Sequence, residues 1–288
     1  MYYRLKDNYI LRGWDKLPYA LVNTETGQAS FLNYQEFKAI EYCNGNIDFS
    51  LPFISSIVKS IIHKAERDKI IEPCEKDHSI TPNQEYKRYS SPYVRTAHWS
   101  ITGKCNYKCR HCYLSSPDVN SHELSHEDIM KIINELEDCG IMNVTLTGGE
   151  PLIRSDFLDI VDALRERNIR IHQIYSNGSL VNKRLLTELD NRNIHPEFSM
   201  SFDGVGCHDW LRGITGAERL VDNAFALCRD MGFKTSCEMT LHRGNMHTIR
   251  DSINHLAGLG VRAVKVTPAI EKGEWNRNVL NIRNILIL

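Results

Sequence analysis

A chain of 288 residues with 42% hydrophobic and 25% charged residues has the make-up of a soluble globular protein, one large domain or a large and a small one. Its formal net charge of -1 gives no electrostatic reason to expect nucleic acid or an anionic membrane as a partner. The N-terminus MYYRLKDNYILRGW lacks the apolar run of a signal peptide, and no stretch approaches the roughly 20 apolar residues of a membrane span, so a cytoplasmic protein is expected.

Residues 1–75 read as a small α+β unit. Tyr19–Asn23 and Gln28–Leu32 predict two short strands around a Thr24–Gly27 turn. Asn33 is placed to cap a helix through Cys43, with Glu36 completing a capping box. A second helix is expected over Leu51–Asp68 and a closing strand over Lys69–Glu72, together a winged-helix-like arrangement. The polar residues 76–96, with Pro82 and Pro92, are expected to be a linker without regular structure.

From residue 97 strands and helices alternate. The expected strands are His98–Gly103, Asn143–Thr147, Arg170–Tyr175, Glu197–Phe202, Lys234–Leu241 and Ala263–Val266. Helices are expected at Ser125–Asp138, Ser155–Arg167, Lys183–Asn191, Ala217–Met231 and Thr248–Leu259, each with apolar residues three and four apart. Such alternation favours a parallel sheet with right-handed crossovers. The fold class is therefore α/β, a partial (β/α)6 TIM-like barrel over 97–288, with its chemistry at the C-terminal ends of the strands.

The chain holds nine cysteines, an odd number, without an export signal, which argues against a disulfide framework. Three are close together, Cys105, Cys109 and Cys112, directly after the first barrel strand. Three thiolates within eight residues can wrap one iron–sulfur cluster, and a four-iron cubane with three protein ligands keeps one iron open. Buried apolar thiols are disfavoured by the interleaved Lys104, Lys108 and Arg110, and zinc by the lack of a second cysteine pair. The other six cysteines have no ligand-like spacing; Cys139, Cys228 and Cys237 are expected to be buried thiols. His122 and His126 read as a solvated helix start, and the four tryptophans as packing residues.

Cys-x-x-x-Cys-x-x-Cys after the first strand of an incomplete barrel resembles the radical S-adenosylmethionine (SAM) family. The resemblance implies a [4Fe-4S] cluster on Cys105, Cys109 and Cys112, whose fourth iron is chelated by the amine and carboxylate of S-adenosyl-L-methionine. It implies reductive cleavage to a 5′-deoxyadenosyl radical that takes hydrogen from a substrate, with electrons from an external flavodoxin- or ferredoxin-type donor. His111 stands where the family often has an aromatic residue, and Tyr113 lies next to the third cysteine.

Further motifs end the later strands. Gly148, Gly149, Glu150 and Pro151 match the family's SAM-amine motif; paired glycines let backbone approach a ligand, and Glu150 offers an acceptor for an amine. By the same resemblance Ser176 and Asn177 are expected to contact SAM, Ser201 and Asp203 the ribose hydroxyls or the substrate, and Arg212 the SAM carboxylate. Thr267-Pro268 is placed to line the adenine site. Each of these is also readable as a turn or a surface ion pair.

Ser-Asn-Gly, Ser-Phe-Asp-Gly and Leu-Arg-Gly resemble the SPASM/twitch subgroup that modifies ribosomally made peptides. The N-terminal unit resembles, more weakly, the PqqD-like recognition domain of such maturases, which adds a leader peptide to its sheet edge. No cysteine-rich SPASM extension follows Glu274-Trp275, so either a truncated chain or one that works with the first cluster alone is an expectation. Two other readings stand beside peptide maturation: a radical SAM enzyme of sulfatase maturation or a haem pathway, and a catalytically silent leader-peptide-binding protein.

Overall fold

The computed structural model describes residues 1–115, 123–270 and 272–275. They form two units: residues 1–95 with 134–143 and 168–170, and the remaining described residues. His122 and the terminal residues 276–288 lie outside the described residues.

The first unit contains strands β1 (Tyr2–Leu5), β2 (Tyr9–Asp15), β3 (Leu17–Asn23), β4 (Ala29–Phe31), helices α1 (Tyr34–Glu41) and α2 (Ser56–Arg67), and strands β5 (Ile71–Cys74) and β6 (Lys87–Pro92). The expected capping box closes α1: Glu36 N–H donates to Asn33 Oδ1 at 2.9 Å, and Asn33 N–H donates to Glu36 Oε2 at 3.0 Å. Helix α2 begins later than its apolar pattern predicts, because Ser55 caps it.

β2 has no counterpart among the expected strands. It lies between β3 and β6, and its side chains enter two different cores. Leu11 packs with Leu5, Phe37, Ile40 and Ile71; Ile10 and Trp14 pack with Val22, Tyr89 and Met142. A strand covered on both faces shows an unbroken buried run instead of alternation. Residues 87–92, expected to be irregular, form β6 and pair in parallel with β2 in the register Arg12↔Lys87. The partner strand is some 75 residues away in sequence, so local pattern carries no sign of it.

The chain continues with β7 (Ala97–Thr102), α3 (His126–Asp138), β8 (Asn143–Gly148), α4 (Phe157–Glu166), β9 (Arg170–Ser176), α5 (Lys183–Asn191) and β10 (Glu197–Ser201). After these come α6 (His208–Arg212), α7 (Ala217–Asp230), β11 (Thr235–Leu241), α8 (Ile249–Gly258) and β12 (Val264–Pro268). The six strands form one sheet in sequential order, β7 to β12, and its recorded pairs are parallel. This is the strand order of a (β/α)6 partial barrel, and it sets the ends of β7, β8, β9 and β10 side by side. The short helix α6 is an addition to the expected elements, and Cys207 stands at its N-cap.

Cys228 and Cys237 are buried, as expected, but Cys139 is exposed, because α3 ends at Asp138 and leaves it outside the packed helix. Among the described residues, no helix is long and apolar enough to cross a membrane.

Candidate functional site

The end of β8 folds back on the loop that follows β7. Gly149 N–H donates to Thr102 O at 3.0 Å and Glu150 N–H to Lys104 O at 2.8 Å. The approach requires glycine: a Cβ on Gly149 would come within 2.7 Å of the Lys104 carbonyl carbon. The backbone of the Gly-Gly motif is thereby fastened one residue from Cys105.

Beneath this contact lies a cavity of about 200 Å³. Cys105, Cys109 and Cys112 line it, together with Gly148, Gly149, Ser176, Asn177, Ser201 and Arg212. Tyr107, His111, Tyr113, Leu114, Thr147 and Tyr175 complete the wall. Of these, Tyr107, Leu114 and Tyr175 are not among the residues expected from sequence. Tyr107 lies inside the cysteine spacing, and Tyr175 precedes Ser176 on a strand, where its facing depends on the sheet. Thr267 and Pro268 end β12 but are not among the lining residues.

Glu150, Pro151 and Asp203 stand behind the wall. Glu150 is fully buried, and its carboxylate faces β9. Ser176 Oγ donates to Oε1 at 3.0 Å, Asn177 N–H to Oε2 at 2.7 Å, and Leu152 N–H to Oε1 at 3.2 Å. Burial pushes this carboxyl up to about 7, while the three donors hold it back. Asn177 continues the network: its Nδ2 donates to Asn106 Oδ1 at 2.8 Å, and Asn106 Nδ2 to Ser179 Oγ at 2.9 Å. The Ser-Asn-Gly turn thus holds the residue next to Cys105.

Asp203 is also fully buried, with both carboxylate oxygens engaged. Arg212 Nε donates to Oδ2 at 2.7 Å and Thr240 N–H to Oδ1 at 2.9 Å. Asn245 Nδ2 donates to the Asp203 carbonyl at 2.7 Å, and Asp203 N–H to His208 Nδ1 at 3.0 Å. Burial would raise the Asp203 carboxyl, but the Arg212 guanidinium beside it overcomes that and holds it well below the usual range.

Arg212 reaches the other way with Nη1, which lies 3.8 Å from Cys109 Sγ. Helix α6 is fastened to the cysteine loop by Arg110 N–H to Leu211 O at 2.9 Å and Arg110 Nε to Trp210 O at 2.9 Å. Gly213, at φ 68°, turns the chain away close under the Lys108 carbonyl. On the opposite side Glu274 N–H donates to Cys112 O at 2.9 Å.

All nine cysteines are free. Among the described residues no three His, Cys, Asp or Glu side chains converge closely enough for a single metal ion. Three thiols from one short loop that line one cavity suit three corners of a cubane. Among the described residues, one buried polar atom of the wall, His111 Nδ1, has no hydrogen-bond partner, which fits a cavity built to take a polar guest. Burial pushes the Cys105 thiol up to about 11 and lowers the His111 imidazole to about 4. The residues present fit a [4Fe-4S] cluster and a polar ligand beside it.

A parallel sheet of sequential (β/α) units with a cysteine loop at the end of its first strand defines an iron–sulfur enzyme class. The chain belongs to the radical SAM superfamily, whose family model matches residues 99–256. A [4Fe-4S] cluster and SAM are characteristic of that family.

The chain is 29% identical over 153 residues to Fe-coproporphyrin III synthase of Methanosarcina barkeri, covering 52% of this chain and 38% of that protein. It is 28% identical over 174 residues to the subtilosin biosynthesis protein AlbA of Bacillus subtilis, covering 60% and 39%. The chain thus spans about two-fifths of the length of these curated relatives. Among solved structures, Streptococcus suis SuiB bound to its precursor peptide SuiA shares the fold, with a TM-score of 0.64 and 15% identity over 98% of this chain and 71% of SuiB.

Proposed function

We propose that this chain is a radical SAM enzyme that modifies a ribosomally made peptide, with the cluster on Cys105, Cys109 and Cys112. The observation that carries the reading is the shared cavity, where the three thiols meet the backbone of Gly148–Gly149 and the ends of β9 and β10. When bound, the cluster and SAM supply a 5′-deoxyadenosyl radical for hydrogen abstraction.

The chain's own residues then divide by position. Gly148, Gly149, Ser176, Asn177, Ser201 and Arg212 face the cavity and hold SAM. Glu150 acts through Ser176 and Asn177, and Asp203 through Arg212, as positioning residues. Pro151 opens the single helical turn Pro151–Ile153 behind Glu150.

The peptide reading, in the SPASM/twitch subgroup, rests on support from outside the barrel. The likeness to SuiB extends over 98% of this chain and so includes the N-terminal unit. We take residues 1–75 as a PqqD-like leader-binding domain, 76–96 as the connection, whose strand β6 pairs with β2 of that domain, and 97–288 as the barrel. An external flavodoxin- or ferredoxin-type protein serves as electron donor. A cytoplasmic location suits nine free cysteines.

Anaerobic reconstitution with iron, sulfide, SAM and dithionite tests the core of the reading. 5′-Deoxyadenosine is the expected product, and its formation separates an enzyme from a silent leader-binding protein. Product that persists when Cys105, Cys109 and Cys112 are replaced by Ala would overturn the mechanism.

A further inference from the structure

Arg212 contacts two partners through different nitrogens of one guanidinium. Nε takes the Asp203 carboxylate at 2.7 Å, and Nη1 is left directed at Cys109 Sγ at 3.8 Å. The residue is buried, so its charge is poorly screened, and arginine keeps that charge at any working pH. Resting on the cluster reading above, we propose that the Asp203–Arg212 pair sets the reduction potential of the cluster by donating to the sulfur of Cys109.

The direction follows from charge. Adding an electron makes the cluster and its thiolates more negative, and a donor fixed on a ligand sulfur favours that state. Asp203 neutralises part of the arginine's charge, but it holds Nε, so the pair presents its positive end to the sulfur. Removing Arg212 therefore lowers the midpoint potential and makes the one-electron reduction harder.

The geometry is held from several elements. Thr240 N–H, at the end of β11, fills the other Asp203 oxygen, and Asn245 fixes the Asp203 carbonyl. Arg110 N–H ties the cysteine loop to Leu211, the residue before Arg212. A guanidinium clamped this way cannot swing from the sulfur to solvent without breaking a buried ion pair, which opposes the motion strongly. A merely space-filling arginine needs no such clamp.

The test is a dithionite titration of the reconstituted chain without SAM, following the reduced cluster by electron paramagnetic resonance, with iron counted per chain. Arg212→Gln is expected to lower the midpoint potential by on the order of a tenfold change in the reduction equilibrium, about 59 mV for a one-electron couple. Arg229→Gln, which removes a surface arginine paired with Asp230 at 2.8 Å, is expected to leave it unchanged. Arg212→Lys keeps the charge on a single head that serves Asp203 or the sulfur, and an intermediate potential is expected.

A loaded Arg212→Gln chain at the wild-type potential overturns this inference alone, as does an equal fall in Arg229→Gln. If Arg212→Gln takes up no cluster, a wild-type potential in Arg212→Lys overturns it. Failure of both to load assigns Arg212 a structural role instead. A wild-type chain that binds no four-iron cluster overturns the cluster reading, and the inference with it.

Discussion

The carboxylate of Glu150 accepts the backbone N–H of Asn177 at 2.7 Å, inside the sheet and behind the wall of the cysteine cavity. The contact joins the end of β8 to the end of β9 and so ties the Gly-Gly backbone to the Ser-Asn-Gly turn. Glu150→Ala leaves Asn177 N–H, Leu152 N–H and Ser176 Oγ without their acceptor. A buried donor left unsatisfied costs about 1–3 kcal/mol, and part of the set will find water. A loss of about 3 kcal/mol in denaturant unfolding is expected near pH 4.5, below the range where the raised carboxyl works against the fold, with weaker SAM binding.

The same carboxylate makes stability depend on pH. Its ordinary value of 4.5 is raised to about 7 in the folded chain, first by burial. Below 4.5 both states hold the proton. Between 4.5 and 7 the folded chain keeps a proton that the unfolded chain has released, so stability falls as pH rises, and above 7 the loss is complete. The shift corresponds to about 3 kcal/mol. Unfolding of wild type compared with Glu150→Gln, from about pH 4.5 to 8, isolates this contribution. A constant difference between the two would refute it.

Gly149→Ala is expected to separate cluster loading from ligand binding. Its Cβ has no room against the Lys104 backbone, so the end of β8 must shift while the thiols stay in the chain. Iron content near wild type, with SAM affinity down by more than about tenfold, is the expected pattern in reconstituted protein. Unchanged affinity would show that the Gly-Gly backbone is not part of the ligand's wall.

Asn106 and Asn177 share a hydrogen bond of 2.8 Å beside Cys105. Alanine at each, and at both, forms a double-mutant cycle. A coupling of about 1 kcal/mol in SAM affinity is expected if the bond holds the cysteine loop in place. Strictly additive effects would argue that the two act independently.

In the first unit, Trp14 is fully buried, its Nε1 donates to Gly140 O at 3.1 Å, and its ring stacks on Tyr89. Trp14→Ala is expected to cost about 3–5 kcal/mol in equilibrium unfolding. Trp14→Phe keeps most of the buried area and loses the hydrogen bond, so a smaller loss is expected.

The alternation of strands and helices from residue 97 on, and the cysteine spacing, are properties of local sequence. The six barrel strands lie within two residues of their expected positions, because apolar spacing and helix-ending glycines act over a few residues. The pairing of β6 with β2 leaves no local mark, since its partner is far away in sequence and the segment itself is polar. α6 is hidden for a related reason: five residues are too short for a helical period to show.

What the sequence by itself determined is the set of groups able to do chemistry: three thiols in a short loop, two glycines with a carboxylate, and an arginine after Asp203. What only the tertiary structure decided is which way each of them faces. Glu150 turns to Ser176 and Asn177, Asp203 to Arg212 and Thr240, and Arg212 to Cys109. The reason is physical: a buried carboxylate must satisfy its oxygens with donors from neighbouring strands, and those strands become neighbours only when the sheet forms.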